Sequence, residues 1–166
     1  MDQLVFNFHA TEYNGWPQAR VIINHKSVVD FTAHTPSFRL PIDIKYADGV
    51  HQLEIQRHSK TDANVLFVDG KVLQDQLLTL ESIYFNDVQL ANQFLYRGIW
   101  CWDGREQPGA LTWGVNGSWK WEFGIPFVQW AVDSSQQECH PDLVIPHKNN
   151  ALILKQKIQR LRNVWQ

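Results

Sequence analysis

Histidine, cysteine and paired acids carry most protein chemistry, and in this 166-residue chain they are scattered. Of the seven histidines, His9, His25, His34, His51, His58, His140 and His147, none lies beside a cysteine or carboxylate at metal-ligand spacing. His51 and His58 stand seven apart on a strand-like stretch, so they face opposite sides and cannot share an ion. His140-Pro141-Asp142 reads as a turn rather than a site. Two cysteines, Cys101 and Cys139, are too few for a thiolate zinc site or a disulfide framework. They read as free thiols of a protein folded in a reducing cytosol, with a bond between them as the lesser alternative. No phosphate loop, GxSxG elbow, HExxH or CxxC motif occurs. Carboxylates assembled by the fold would leave a glycosidase open. With no catalytic set, metal ligand set or cofactor motif marked, a non-enzymatic protein is expected.

Aromatic residues are the stronger signal. The stretch LTWGVNGSWKWEFGIPFVQW (111–130) holds four of the eight tryptophans. Asn116-Gly117 signals a type I′ hairpin, which needs positive φ at both central residues. A two-residue turn pairs 113 with 120 and 112 with 121. Trp119, Trp121 and Phe123 then face Thr112 and Gly114 and read as core, whereas Trp113 lies across from Lys120 and Glu122, a half-wet setting. Upstream, RGIWCWDGREQPG (97–109) puts Trp100 and Trp102 on one side of a strand ending at an Asp103-Gly104 turn. Indole faces stack on pyranose rings while acids and Arg take the hydroxyls. The candidate glycan- or partner-binding set is therefore Trp100, Trp102, Asp103, Glu106 and Trp113, set against the alternative of two further core tryptophans and a solvated turn.

These residues need a scaffold, and the first 130 residues read as strands. VIINHKSVVDF (21–31) and NVLFVDGKVLQDQ (64–76) are hairpin candidates, the second bent at Asp69-Gly70. In SFRLPIDIKY (37–46), Pro41 fits an edge strand or a strand start. VHQLEIQRH (50–58) follows the Asp48-Gly49 turn and alternates Leu53, Ile55 and Arg57 against Gln52, Glu54 and Gln56. LLTLESIYFNDVQL (77–90) is a longer strand broken at Asn86-Asp87. No sustained helical period appears before residue 148. Short strands with frequent turn signals predict an all-β sandwich or barrel.

Charge divides the chain. Residues 1–142 hold all 17 acids and 10 of the 15 Lys and Arg, a balance of −7, whereas 143–166 hold five cations and no acid. A domain over 1–132, a linker over 133–149 and a basic amphipathic helix over 150–166 are expected. In that helix Leu154, Ile158, Leu161 and Trp165 form an apolar seam that must dock on its own domain, on copies of the chain or on a partner. The acidic remainder opposes nucleic acid. The longest apolar runs of four or five residues predict no membrane span, and the start lacks the pattern of a secretory signal.

DGVHQLEIQRHSKTD (48–62) followed by VDGKVLQDQLLTLESIYFNDVQL (68–90) resembles the strand sequence of small jelly-roll carbohydrate-binding modules of the calcium-dependent, xylan-binding type. The same segment order, followed by the block from Trp113 to Trp130, is similar to short virion proteins of tailed bacteriophages. The resemblance spans roughly residues 5–130. It implies a jelly-roll-like antiparallel β-sandwich and a non-enzymatic virion component (tail, baseplate, neck or capsid surface), made in the host cytoplasm. Its partners would be other virion proteins or copies of itself, its ligand a polysaccharide, and its attachment the C-terminal segment. Calcium would follow from the same resemblance, but its clustered loop acids have no match here; Asp103 and Glu106 come nearest and stand isolated, so no cofactor is expected. The alternatives are a cement protein, and a freestanding cytosolic lectin or accessory module of a glycan-active enzyme.

Overall fold

A computed structural model describes residues 2–135. The expected helix over 150–166, with Leu154, Ile158, Leu161 and Trp165, lies outside the described residues, as do Cys139 and most of the linker.

Two antiparallel sheets face each other. In the first, β12 (Thr112–Trp113), β8 (Leu77–Phe85), β1 (Asp2–Thr11) and β4 (Ser37–Ile44) lie in that order, and β9 (Val88–Gln89) pairs with the end of β8. The second runs β11 (Arg105–Pro108), β10 (Ile99–Trp102), β13 (Gly117–Ile125), β5 (Gly49–His58), β2 (Gln18–Ile23) and β3 (Lys26–Thr32). A separate two-stranded ribbon joins β6 (Val65–Val68) to β7 (Lys71–Asp75). Period-two patterning makes the core: β1 turns Leu4, Phe6, Phe8 and Ala10 inward, and β13 turns in Trp119, Trp121 and Phe123. Pro41 sits on β4, an edge strand, where its missing N–H costs no ladder bond.

The hairpin expected over 21–31 forms with its turn at Asn24-His25, and the turns expected at Asp69-Gly70 and Asp103-Gly104 form too, the latter closing a β10–β11 hairpin; each has positive φ at both central residues. The hairpin at Asn116-Gly117 does not. Neither residue has positive φ, and the two flanking strands belong to different sheets: β12 pairs with β8, β13 with β5 and β10. Asn116 instead spends its amide on the main chain of Lys60, accepting from its N–H and donating to its carbonyl, both at 2.9 Å. Gly117 is required for closeness, since a Cβ there would lie 2.5 Å from the Cys101 carbonyl oxygen.

Helices also interrupt the expected run of strands. α1 (Asn92–Leu95) is a single turn, and α2 (Phe127–Ser134) follows β13 directly. In α2, Phe127, Ala131 and Ser134 repeat at helical spacing and are buried, while Phe127 stacks on Phe85 with centroids 4.1 Å apart. Eight residues amid aromatic strand-like neighbours are too short for that period to stand out in the sequence.

Candidate functional site

The tryptophans chosen from the sequence lie largely inside. Trp113 is 0% exposed and Trp100 3% exposed, and their rings stack at 5.0 Å and 4°. The half-wet setting expected for Trp113 is thus corrected. Because β12 pairs with β8, its indole points across the sandwich, and its Nε1–H donates to the Ala110 carbonyl at 2.9 Å. The ladder continues through Trp119, Trp121 and Phe123, with successive centroids 6.1, 6.0 and 5.9 Å apart, and Trp119, Trp121 and Phe123 are core as expected. Trp102 is half-buried against that core, Asp103 occupies the β10–β11 turn at φ 46°, and Glu106 is exposed on β11 opposite Cys101. Among the described residues no three His, Cys, Asp or Glu side chains group as a metal site. Cys101 is a half-buried free thiol.

The concave surface lies elsewhere. A cleft of about 730 Å³ opens on the outer face of the six-stranded sheet. Its floor is set by register: Lys120 on β13 lies between Glu54 on β5 and Ile99 on β10. Beyond these come Ile22 and Pro108, so one row crosses five strands. Gln52 pairs with Glu122 in the next row. The alternation that sends Leu53, Trp119 and Trp121 inward sends Gln52, Glu54, Lys120 and Glu122 out. Glu54 is held from its far side by the Ser118 hydroxyl, which donates to Oε1.

One wall is helical. Tyr96 and Arg97 follow α1, and Trp130 and Ser134 belong to α2. Arg97 clamps the two helices together, its Nη2 donating to the Ser134 carbonyl while the guanidinium lies 5.2 Å over the Phe94 ring. Trp121 Nε1 donates to the Phe94 carbonyl at 2.7 Å, tying the same wall to the floor. His25, in the β2–β3 turn, stands on the opposite rim. The cleft thus offers two carboxylates, an amide and an ammonium above apolar strips. That set can hold a polyhydroxylated ring by many weak hydrogen bonds.

A second polar cluster is buried instead. Arg57, in phase with Leu53 and Ile55, is 1% exposed at the end of the sandwich. Its Nη1 donates to the Trp113 carbonyl, and its Nη2 to the Gln76 carbonyl and, at 3.1 Å, to Gln76 Oε1. Lys60 Nζ donates to Asp75 Oδ1 and to the Gly114 carbonyl. Burial pushes the Arg57 guanidinium down to about 10, with Asp75 opposing, so it remains charged at neutral pH. Burial also lowers Lys60, helped by the Arg57 charge and opposed by Asp75. These two cations bind main-chain carbonyls from two segments, Trp113-Gly114 and Gln76, and so tie the segment that carries Trp113 to the start of β8.

Sequence reasoning missed the cleft because its rows join residues up to 70 positions apart. The alternation of Gln52 and Glu54 against Leu53 and Ile55 was the available signal, but the adjacency of β5 and β13 was not visible.

No family model matches this chain, and no curated protein matches it. Solved structures do. One, vCBM60 in complex with galactobiose, superposes with a TM-score of 0.51 at 6% identity, covering 72% of this chain and 96% of that one. A second vCBM60 structure, described as linking two families of calcium-dependent carbohydrate-binding modules by circular permutation, covers 73% and 90% at 9% identity, with a TM-score of 0.49. The likeness establishes the class of fold. This chain is a jelly-roll-like antiparallel β-sandwich.

Proposed function

We propose that this protein is a non-enzymatic adhesion module that holds glycan in the cleft on its six-stranded sheet. The observation that carries this reading is the cleft itself: about 730 Å³, floored by Glu54, Lys120, Gln52 and Glu122 between apolar strips, on a sandwich that superposes on a module solved with a disaccharide. Its volume lies within the usual range of ligand sites, ~300–1,000 Å³. The similarity of the strand order to short phage virion proteins extends the proposal: the module is displayed on a virion, with residues 150–166 as its attachment.

Retention of the full chain on a panel of immobilised polysaccharides, with calcium and with chelator, tests the adhesion. Binding to at least one polysaccharide, lost about tenfold in a Glu54→Gln/Lys120→Met variant of unchanged unfolding midpoint, is the expected result. Absence of retention at every calcium level rejects it. Detection of the protein in purified particles by mass spectrometry tests the virion assignment independently.

A further inference from the structure

Strand alternation also furnishes the other outer face of the sandwich. On β1, Leu4, Phe6 and Phe8 turn into the core, so Asn7 turns out, with Arg39 of β4 opposite it on one side and Ser82 of β8 on the other. The β1–β8 register slips at this point. Asn7 pairs with Ser82 but Phe8 with Leu80, which leaves Glu81 as the extra residue of a bulge, exposed beside the same row. Tyr84 follows on β8, its hydroxyl donating to Gln89 Oε1 at 3.1 Å. Asn7, Arg39, Glu81 and Tyr84 line a hollow of about 370 Å³, in the sheet opposite the one that carries the cleft.

The polar groups of this hollow are not matched to one another. The exposed Arg39 guanidinium lies 5.9 Å over the Tyr84 ring, and among the described residues no carboxylate comes within ion-pair distance of it. Glu81 likewise forms no ion pair with a described cation. Asn7 Nδ2 donates to the Ser82 hydroxyl at 2.9 Å, but Asn7 Oδ1 is buried and takes no hydrogen bond from the described residues. A buried acceptor left without a donor costs ~1–3 kcal/mol.

We infer that this hollow is a second ligand site, one that takes a single acidic saccharide ring, a hexuronate. The Arg39 fork receives the sugar carboxylate, because a planar guanidinium pairs with it through two parallel hydrogen bonds. Glu81 stands across β1 from Arg39, two strand spacings or ~10 Å away, a gap that one pyranose ring with its hydrogen bonds fills. There its carboxylate, an acceptor only, takes ring hydroxyls and repels a multiply charged anion such as phosphate. Tyr84 supplies an apolar wall, and a hydroxyl turned to the floor supplies the donor that Asn7 Oδ1 lacks. The volume stands near the lower end of ligand sites, ~300–1,000 Å³, which fits one ring rather than a chain. The cleft differs, since the floor between Glu54 and Glu122 has Lys120 alone to set against two acids.

Titration of the ¹⁵N-labelled full chain with glucuronate and with galacturonate, followed by amide shifts, tests the site. At least one uronate should give saturable shifts around Asn7, Arg39 and Ser82, while glucose, galactose, acetate and inorganic phosphate at matched ionic strength bind at least about tenfold more weakly. An Arg39→Gln variant of unchanged unfolding midpoint should lose about tenfold of the uronate affinity. Equal affinity for acetate or phosphate would show an anion site without saccharide recognition. No saturable shift with either uronate, or undiminished affinity in Arg39→Gln, would show no site of this kind. Each of these results overturns the inference. Ligands of the cleft shift amides of β5 and β13 instead, so failure of glycan binding there and failure here are seen separately.

Discussion

Replacing Trp113 by Ala distinguishes a core indole from a surface one. The side chain is fully buried, stacked on Trp100 at 5.0 Å, 6.1 Å from the Trp119 ring and edge-on to Phe8 at 6.5 Å. Removing ~200 Å² of aromatic surface from water is worth ~5 kcal/mol at ~25 cal/mol/Å². Measured truncations of buried aromatic residues cost ~3–5 kcal/mol, because the cavity collapses in part. A loss of ~4–5 kcal/mol is therefore expected, a large share of the ~5–15 kcal/mol that holds a domain together. Guanidinium unfolding followed by far-UV circular dichroism measures it, and a thermal scan of the same variant should show a midpoint ~10–20 °C lower. Trp113→Phe keeps most of the ring and should cost roughly half as much. A loss below ~1.5 kcal/mol with unchanged denaturant slope would refute the burial argument, returning Trp113 to the surface where the hairpin register had placed it.

Three other perturbations probe the same framework. At Gly98 a Cβ would lie 2.0 Å from Trp119 Cε2, and Trp119 is wedged between Trp113 and Trp121; Gly98→Ala should cost ~3 kcal/mol or more in chemical denaturation, at the upper end of overpacking effects. Arg57→Lys cannot bridge the Trp113 and Gln76 carbonyls with one ammonium, and a single dry carbonyl costs ~1–3 kcal/mol, read by the same unfolding assay. Lys60 binds fewer protons folded than unfolded near its lowered pKa, so its charge opposes folding below that pKa and the opposition fades as pH climbs toward 10.5. The stability of the wild type relative to Lys60→Met should therefore rise between pH 8 and pH 10.5, and urea titrations at the two pH values showing a flat or falling difference would contradict the burial of that ammonium.

What could be read from the sequence was local. Period-two alternation put Trp119, Trp121 and Phe123 on one face of their strand, and Arg57 on the face of Leu53 and Ile55, because side chains on a strand alternate regardless of partner; that the three rings are core holds although the pairing with Thr112 and Gly114 that suggested it does not form. Asp69-Gly70 and Asp103-Gly104 declared their turns because two positive φ angles suit few residue types, whereas the hairpin over 21–31 was marked without its turn at Asn24-His25. Asn116-Gly117 shows the limit of the same rule. Its residues permit a hairpin, but the pairing of β12 with β8 and of β13 with β5, settled 30 to 70 residues away, places them in different sheets. That choice buries Trp113 and denies Lys120 and Glu122 the cross-strand neighbours expected of them. The cleft has the same origin. Glu54 and Lys120 are ordinary outward residues in the chain and become neighbours only when β5 and β13 pair, since the strand period decides which face a side chain takes and only the tertiary fold decides what stands beside it.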